Sequence, residues 1–143
     1  MDIFSLKSTE KQLFMGCRNH SIVPMGLSHH SLFHDQLQAP IKQPHLDVVT
    51  SFATLLDEKI LISASKDKNL RGWSTAQAVP ASEPQHSIKQ LHNLTTNSAH
   101  RSDINVLESS YDNLEMYSGS KDGIVHIWSL RESPQQFQEE QTW

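Results

Sequence analysis

The residues best equipped for chemistry are two matched sets of serine, histidine and aspartate. His45 stands 22 residues before Asp67, and His100 stands 22 residues before Asp122. Ser63 and Ser65 lie inside the first interval, Ser118 and Ser120 inside the second. A hydroxyl, an imidazole and a carboxylate are the parts of a nucleophilic hydrolase. The spacing argues against that use. Each set ends in a tryptophan 6 residues after the aspartate, Trp73 and Trp128. A reaction centre does not repeat in tandem with an indole attached, whereas a structural unit does. The glycines at 16, 26, 72, 119 and 123 form no nucleophile elbow, dinucleotide fingerprint or phosphate loop. No catalytic or cofactor-binding residue is therefore expected. The 9 histidines raise the question of a metal, but the tight cluster His29, His30 and His34 has only Asp35 as a nearby carboxylate. Structural and catalytic zinc sites need three or four ligands, so no metal is expected. Cys17 is the single cysteine, which excludes an internal disulfide framework, and its apolar neighbours mark it as a packing residue.

The elements that position these residues are short strands. Three segments align without gaps around a turn: 14–22, 62–70 and 117–125. Each has an apolar approach, small residues, a basic residue, an Asn or Asp, and a second apolar stretch. The second copy reads as strands over 48–54, 60–65 and 70–74, rich in Val, Ile and Thr and separated by polar turns. The third repeats this over 104–109, 115–120 and 124–130, with Asp122-Gly123 as a hairpin signal. The first runs over 2–8, 12–17 and 21–27. A fourth strand per unit is expected in the connections, at Ser31–His34 and Ile88–Leu91. The remaining connections are polar, and 131–143 reads as a polar, disordered tail.

The succession of His, Ser-x-Ser-Lys-Asp and Trp resembles the WD40 repeat. The third copy carries it in His100, Ser118-Gly119-Ser120-Lys121-Asp122-Gly123 and Trp128, and the second in His45, Ser63-Ala64-Ser65-Lys66-Asp67 and Trp73. The first copy is degraded. Asn19 stands at the Asp position and Met25 at the Trp position, and no upstream His exists. Ser74 and Ser129 replace the Asp that usually follows the Trp. The resemblance implies an all-β propeller segment of about three four-stranded blades, an open arc rather than a closed ring. Repeats are expected over about 2–44, 45–99 and 100–130. It also implies a structural network in which Asp67 meets His45, Ser63 or Ser65, and Trp73, and Asp122 meets His100, Ser118 or Ser120, and Trp128. Two serines two apart share a strand face, so the sequence leaves the choice open. The segments 44–47 and 97–100 also look like parts of the tail propeller of kinesin-4-type motors.

Strand parity adds an inference about partners. The residue before the turn Asp or Asn is Arg18, Lys66 and Lys121 in the three copies. Antiparallel blades place these turns on one rim, so three cations face an acidic protein segment there, or else are solvated turn residues. Three repeats do not close a ring of ~4–8 blades, so missing blades from the same or another chain are expected as partners. Nucleic acid is not, because 12 basic against 16 acidic residues leave a net charge of −4. A membrane is not expected either, since no run approaches the ~18 apolar residues of a span. The absence of an apolar leader after a basic start points to the cytoplasm, or to the cytoskeleton under the motor-tail alternative. The reading is a non-catalytic interaction scaffold. A microtubule-motor tail and a Ser-His hydrolase are the alternatives.

Overall fold

The computed structural model describes residues 2–27, 40–41, 44–75, 89–130 and 138–142, and none of these described residues is helical. Three antiparallel sheets follow one another along the chain. Blade 1 holds β1 (Ile3–Ser8), β2 (Gln12–Cys17) and β3 (Ile22–Gly26). Blade 2 holds β4 (Val49–Leu55), β5 (Ile60–Ser65), β6 (Leu70–Ser74) and β7 (Lys89–Thr96). Blade 3 holds β8 (Ile104–Ser109), β9 (Glu115–Ser120), β10 (Val125–Ser129) and β11 (Gln138–Thr142). Within each sheet the strands lie in chain order. The first strands of the blades are neighbours, β1 against β4 and β4 against β8, so the blades fan out as an open arc.

Burial along the strands shows why this order holds. Every residue of β5 is buried, because blade 2 is covered on both faces. Successive side chains of β5 therefore serve different cores. Leu61 joins Phe14, Ile22, Val49, Phe52 and Trp73 between blades 1 and 2. Ile62, its neighbour, joins the layer between blades 2 and 3, with Leu70, Leu107, Met116 and Trp128. Burying each of these side chains contributes about 1.5–3 kcal/mol relative to exposure. Gly16 is required by the first junction, since a Cβ there would lie 3.0 Å from the Val49 side chain.

The expected fourth strand of blade 2 is present, displaced to Lys89–Thr96. That of blade 1, Ser31–His34, lies outside the described residues, as do the His29, His30 and His34 cluster and the loop over 79–84. The disordered tail needs correction. Gln138–Thr142 forms β11 and pairs with β10, His126 opposite Thr142 and Ser129 opposite Gln138. Polar composition removes the drive to bury side chains, but it leaves the backbone N–H and C=O groups free to pair with an open strand edge. The third blade accordingly extends past residue 130.

Candidate functional site

The turn between the second and third strands places the key aspartate in each of blades 2 and 3. In blade 2, His45 lies in the segment before β4 and reaches across to the β5–β6 turn. Its Nδ1 is 2.9 Å from Asp67 Oδ2, and its Nε2 is 2.7 Å from Ser63 Oγ. Trp73 Nε1 donates to the same Ser63 Oγ at 2.9 Å. One proton arrangement satisfies the whole chain. Nδ1–H donates to the carboxylate, Nε2 accepts the serine O–H, and the serine oxygen accepts the indole N–H. Asp67 also accepts from the backbone N–H of Leu46 and of Asn69, both at 2.9 Å. Burial alone would raise the Asp67 carboxyl. The hydrogen bond and charge of His45 and the two backbone donors outweigh it and hold the group at about 2.

The structure therefore chooses between the serines. Ser63 and Ser118 occupy the networks, while Ser65 and Ser120 accept from the backbone N–H of Asp67 and Asp122. Blade 3 repeats the arrangement with looser geometry. His100 Nε2 is 2.7 Å from Ser118 Oγ, and Trp128 Nε1 donates to Ser118 at 2.9 Å. His100 Nδ1, however, lies 3.5 Å from Asp122 Oδ2, and among the described residues it makes no hydrogen bond. The His126 ring stands edge-on to His100, with centroids 4.3 Å apart. His126 faces Ser118 across the β9–β10 ladder, where blade 2 has Arg71 facing Ser63. Burial holds the His100 imidazole below its ordinary value of 6.5, His126 adds to this, and Asp122 opposes it. The Asp122 carboxyl is raised by burial but lowered more by the N–H groups of Ile124 and Arg101.

Among the described residues blade 1 has no such network. Asn19 Oδ1 instead accepts from Ser21 N–H and O–H within its own turn. Met15 stands where Ser63 stands, and it packs with Cys17 and Val23 as an apolar cluster. Apolar contact there replaces hydrogen bonding.

These geometries bear on chemistry. Ser63 and Ser118 are buried, and each hydroxyl is engaged by an imidazole and an indole. An attacking hydroxyl must reach its substrate with its proton held by the base alone. Here the oxygen is capped by an indole donor instead. Among the described residues no group of three His, Cys, Asp or Glu could hold a metal ion.

Arg18, Lys66 and Lys121 are exposed at the second turn of blades 1, 2 and 3. Arg18 lies 3.4 Å from Asp2, and among the described residues Lys66 and Lys121 have no acidic partner. The segment leading into blade 3 is tied to the second turn of blade 2. Ser98 N–H donates to Asn69 Oδ1 at 2.8 Å, and His100 N–H to Lys68 O at 3.4 Å. Two rim residues escape sequence reasoning. Leu46 follows His45 as Arg101 follows His100, each gives its N–H to the turn aspartate, and both are exposed. The position directly after the network histidine is the signal that marks them.

Residues 38–74 and 89–129, more than half of the chain, match the family described as WD domain, G-beta repeat. The chain belongs to the WD-repeat family. As a WD-repeat chain it is 28% identical to striatin of Rattus norvegicus over 85 residues, which cover 59% of this chain and 11% of that protein. It is 31% identical to a striatin homolog of Dictyostelium discoideum over 93 residues, 62% of this chain and 11% of the relative. It thus spans about a tenth of the length of these relatives. Two solved structures share the WD-repeat fold. All of this chain superposes on 39% of the chain of U3-55K, with a TM-score of 0.72 and 23% identity. The RRP9 WD40 repeats match 99% of this chain over 38% of theirs, with the same TM-score and 22% identity. None of these comparisons points to a kinesin tail.

Proposed function

We propose that this WD-repeat arc is a non-catalytic scaffold whose rim receives acidic segments of protein partners. The observation that carries the reading is the recurrence of one exposed cation at one turn position in all three blades, Arg18, Lys66 and Lys121. The networks beneath support it, because they anchor these turns to the segment before each of blades 2 and 3. A preformed surface binds with less ordering cost than a loose one. Exposed Leu46 adds an apolar contact among the cations, so the matching ligand is an acidic peptide with an aliphatic or aromatic anchor. The net charge of −4 turns the reading away from nucleic acid. Further blades, from the same or another chain, complete the ring, and the cytoplasm is the proposed site of action.

The test is binding of an array of acidic peptides, with and without an apolar anchor, to the full chain at two salt concentrations. Binding should weaken with salt and be lost in the triple variant Arg18→Glu, Lys66→Glu and Lys121→Glu. Equal binding by the triple variant overturns the rim reading.

A further inference from the structure

The turn joining β8 to β9 lies at the end of blade 3 opposite the cation rim, because antiparallel strands put successive turns at opposite ends. The matching turns of blades 1 and 2 carry charged tips, Glu10-Lys11 and Asp57-Glu58. Blade 3 presents an aromatic ring there instead. Tyr111 is 104% exposed, so its side chain adds nothing to the core and the fold does not require it. Among the described residues its hydroxyl has no hydrogen-bond partner. The other tyrosine of the chain is engaged. Tyr117 lies within β9, and its O–H donates to Glu115 Oε2 at 3.2 Å.

The turn that carries Tyr111 is held in one shape. Asn113 N–H donates to Ser110 O at 3.0 Å, which closes a four-residue turn with Tyr111 at its second position. Asp112 Oδ1 accepts from Ser110 O–H at 2.6 Å and from Leu114 N–H at 3.1 Å, and Ser110 Oγ accepts from Glu115 N–H at 3.1 Å. Asn113 has a φ of 55°, a conformation that asparagine tolerates, and its carbonyl accepts Leu56 N–H of blade 2 at 3.0 Å. The Asn113 carboxamide makes no hydrogen bond among the described residues. An open phenol and an open carboxamide thus stand two residues apart on a fixed turn. Charge around them is one-sided. Between Arg101 and Lys121 the chain has no basic residue, while Asp103, Glu108, Asp112 and Glu115 are acidic. Such a stretch complements a basic substrate groove, and a phosphate placed on it finds no cation within its own stretch.

We infer that Tyr111 is a phosphorylation site for a tyrosine kinase, and that the phosphorylated turn, with the Asn113 carboxamide beside it, recruits a phosphotyrosine-binding partner. In the transfer the phenol oxygen attacks the γ-phosphorus of a nucleoside triphosphate. The bond from that phosphorus to the oxygen bridging it to the β-phosphate breaks, and the phenolic proton passes to the kinase's base. Tyr111 then carries a charge of about −1.5 to −2. Arginines of the partner supply the cation that the stretch lacks, as charge-assisted pairs, and the carboxamide offers donors and an acceptor to the partner's backbone. The turn is already closed, so little ordering opposes binding. The inference is separate from the rim reading, which concerns other turns.

The full chain, Tyr111→Phe and Tyr117→Phe are incubated with ATP and each of a panel of tyrosine kinases, and mass spectrometry locates the phosphate. A peptide of residues 104–116, which contains Tyr111 and lacks Tyr117, shows which kinases accept this sequence. Those kinases should modify Tyr111 of the full chain at least tenfold faster than Tyr117. Tyr117→Phe should match the parent, and Tyr111→Phe should lose the fast phosphate. The phosphorylated chain should then bind at least one of a panel of SH2 domains in fluorescence anisotropy. Phosphatase should abolish that binding, and Asn113→Gly, which keeps the left-handed turn, should weaken it at least tenfold. Far-UV circular dichroism selects folded variants. If no kinase modifies the peptide, or the peptide is modified and Tyr111 of the full chain is not, the site is overturned. If no SH2 domain binds the phosphorylated chain, or Asn113→Gly binds equally, the recognition assigned to the turn is overturned.

Discussion

Ser63 and Ser65 offer a controlled comparison, because both are fully buried, both lie on β5, and both lose one oxygen on change to alanine. The void created is the same, so any difference reports hydrogen bonding. Ser63→Ala strands two buried groups, the Trp73 indole N–H and His45 Nε2. A buried polar group left without a partner costs about 1–3 kcal/mol, and the ring and indole can shift slightly to relieve part of it, so a loss of roughly 2–4 kcal/mol is expected. Ser65→Ala strands only the Asp67 N–H, at a turn that water reaches, and should cost roughly 0.5–1.5 kcal/mol. Urea unfolding followed by far-UV circular dichroism measures both without relying on the tryptophans. A double-mutant cycle sharpens the comparison. In a Trp73→Phe background one of the two stranded groups is already gone, so Ser63→Ala should cost about 1–2 kcal/mol less than in the parent. Equal losses for the two serines, or strict additivity with Trp73→Phe, would refute the network.

Acid should expose the carboxylates and the histidine in separate windows. The Asp67 carboxyl titrates near 2 in the fold against an ordinary 3.8, so its contribution is complete above 3.8 and disappears as pH falls through about 2. That gap corresponds to roughly 2 kcal/mol, and a stability profile of Asp67→Asn should lack this loss. The His100 imidazole is held below 6.5, so the unfolded chain takes up a proton first. Stability should be full above 6.5 and decline as pH falls through it, and a His100→Gln profile should be flat there. Gly123 has a φ of 82° and nothing within 4 Å of a Cβ. Gly123→Ala should therefore destabilise by about 1 kcal/mol through backbone strain alone, measured as a shift in the urea midpoint.

Much of this was legible in one sequence because a repeat supplies its own comparison. Two intervals, 22 and 6 residues, recur in the second and third copies, and a coincidence of both requires a common unit. The strands of the copies follow from local alternation and turn residues, and they appear within a residue or two of their expected bounds. Three things were not legible. Period two puts Ser63 and Ser65 on one face, and only the reach of His45 from another segment separates them. β11 was hidden because its stability comes from pairing with the β10 backbone, to which side-chain polarity gives no clue. Leu46 looks like a core residue by type and is 78% exposed, since its N–H is fixed to Asp67 and its side chain points away.

By itself the sequence determined the repeat, the strand class and the residue types able to form a buried polar network, because these depend on local spacing and on which groups can satisfy one another. Only the tertiary structure decided which hydroxyl each imidazole meets, and that Leu6 is bare where Phe52 and Leu107 are covered. Those outcomes depend on how one blade lies against the next, and contacts between blades join residues distant in the chain.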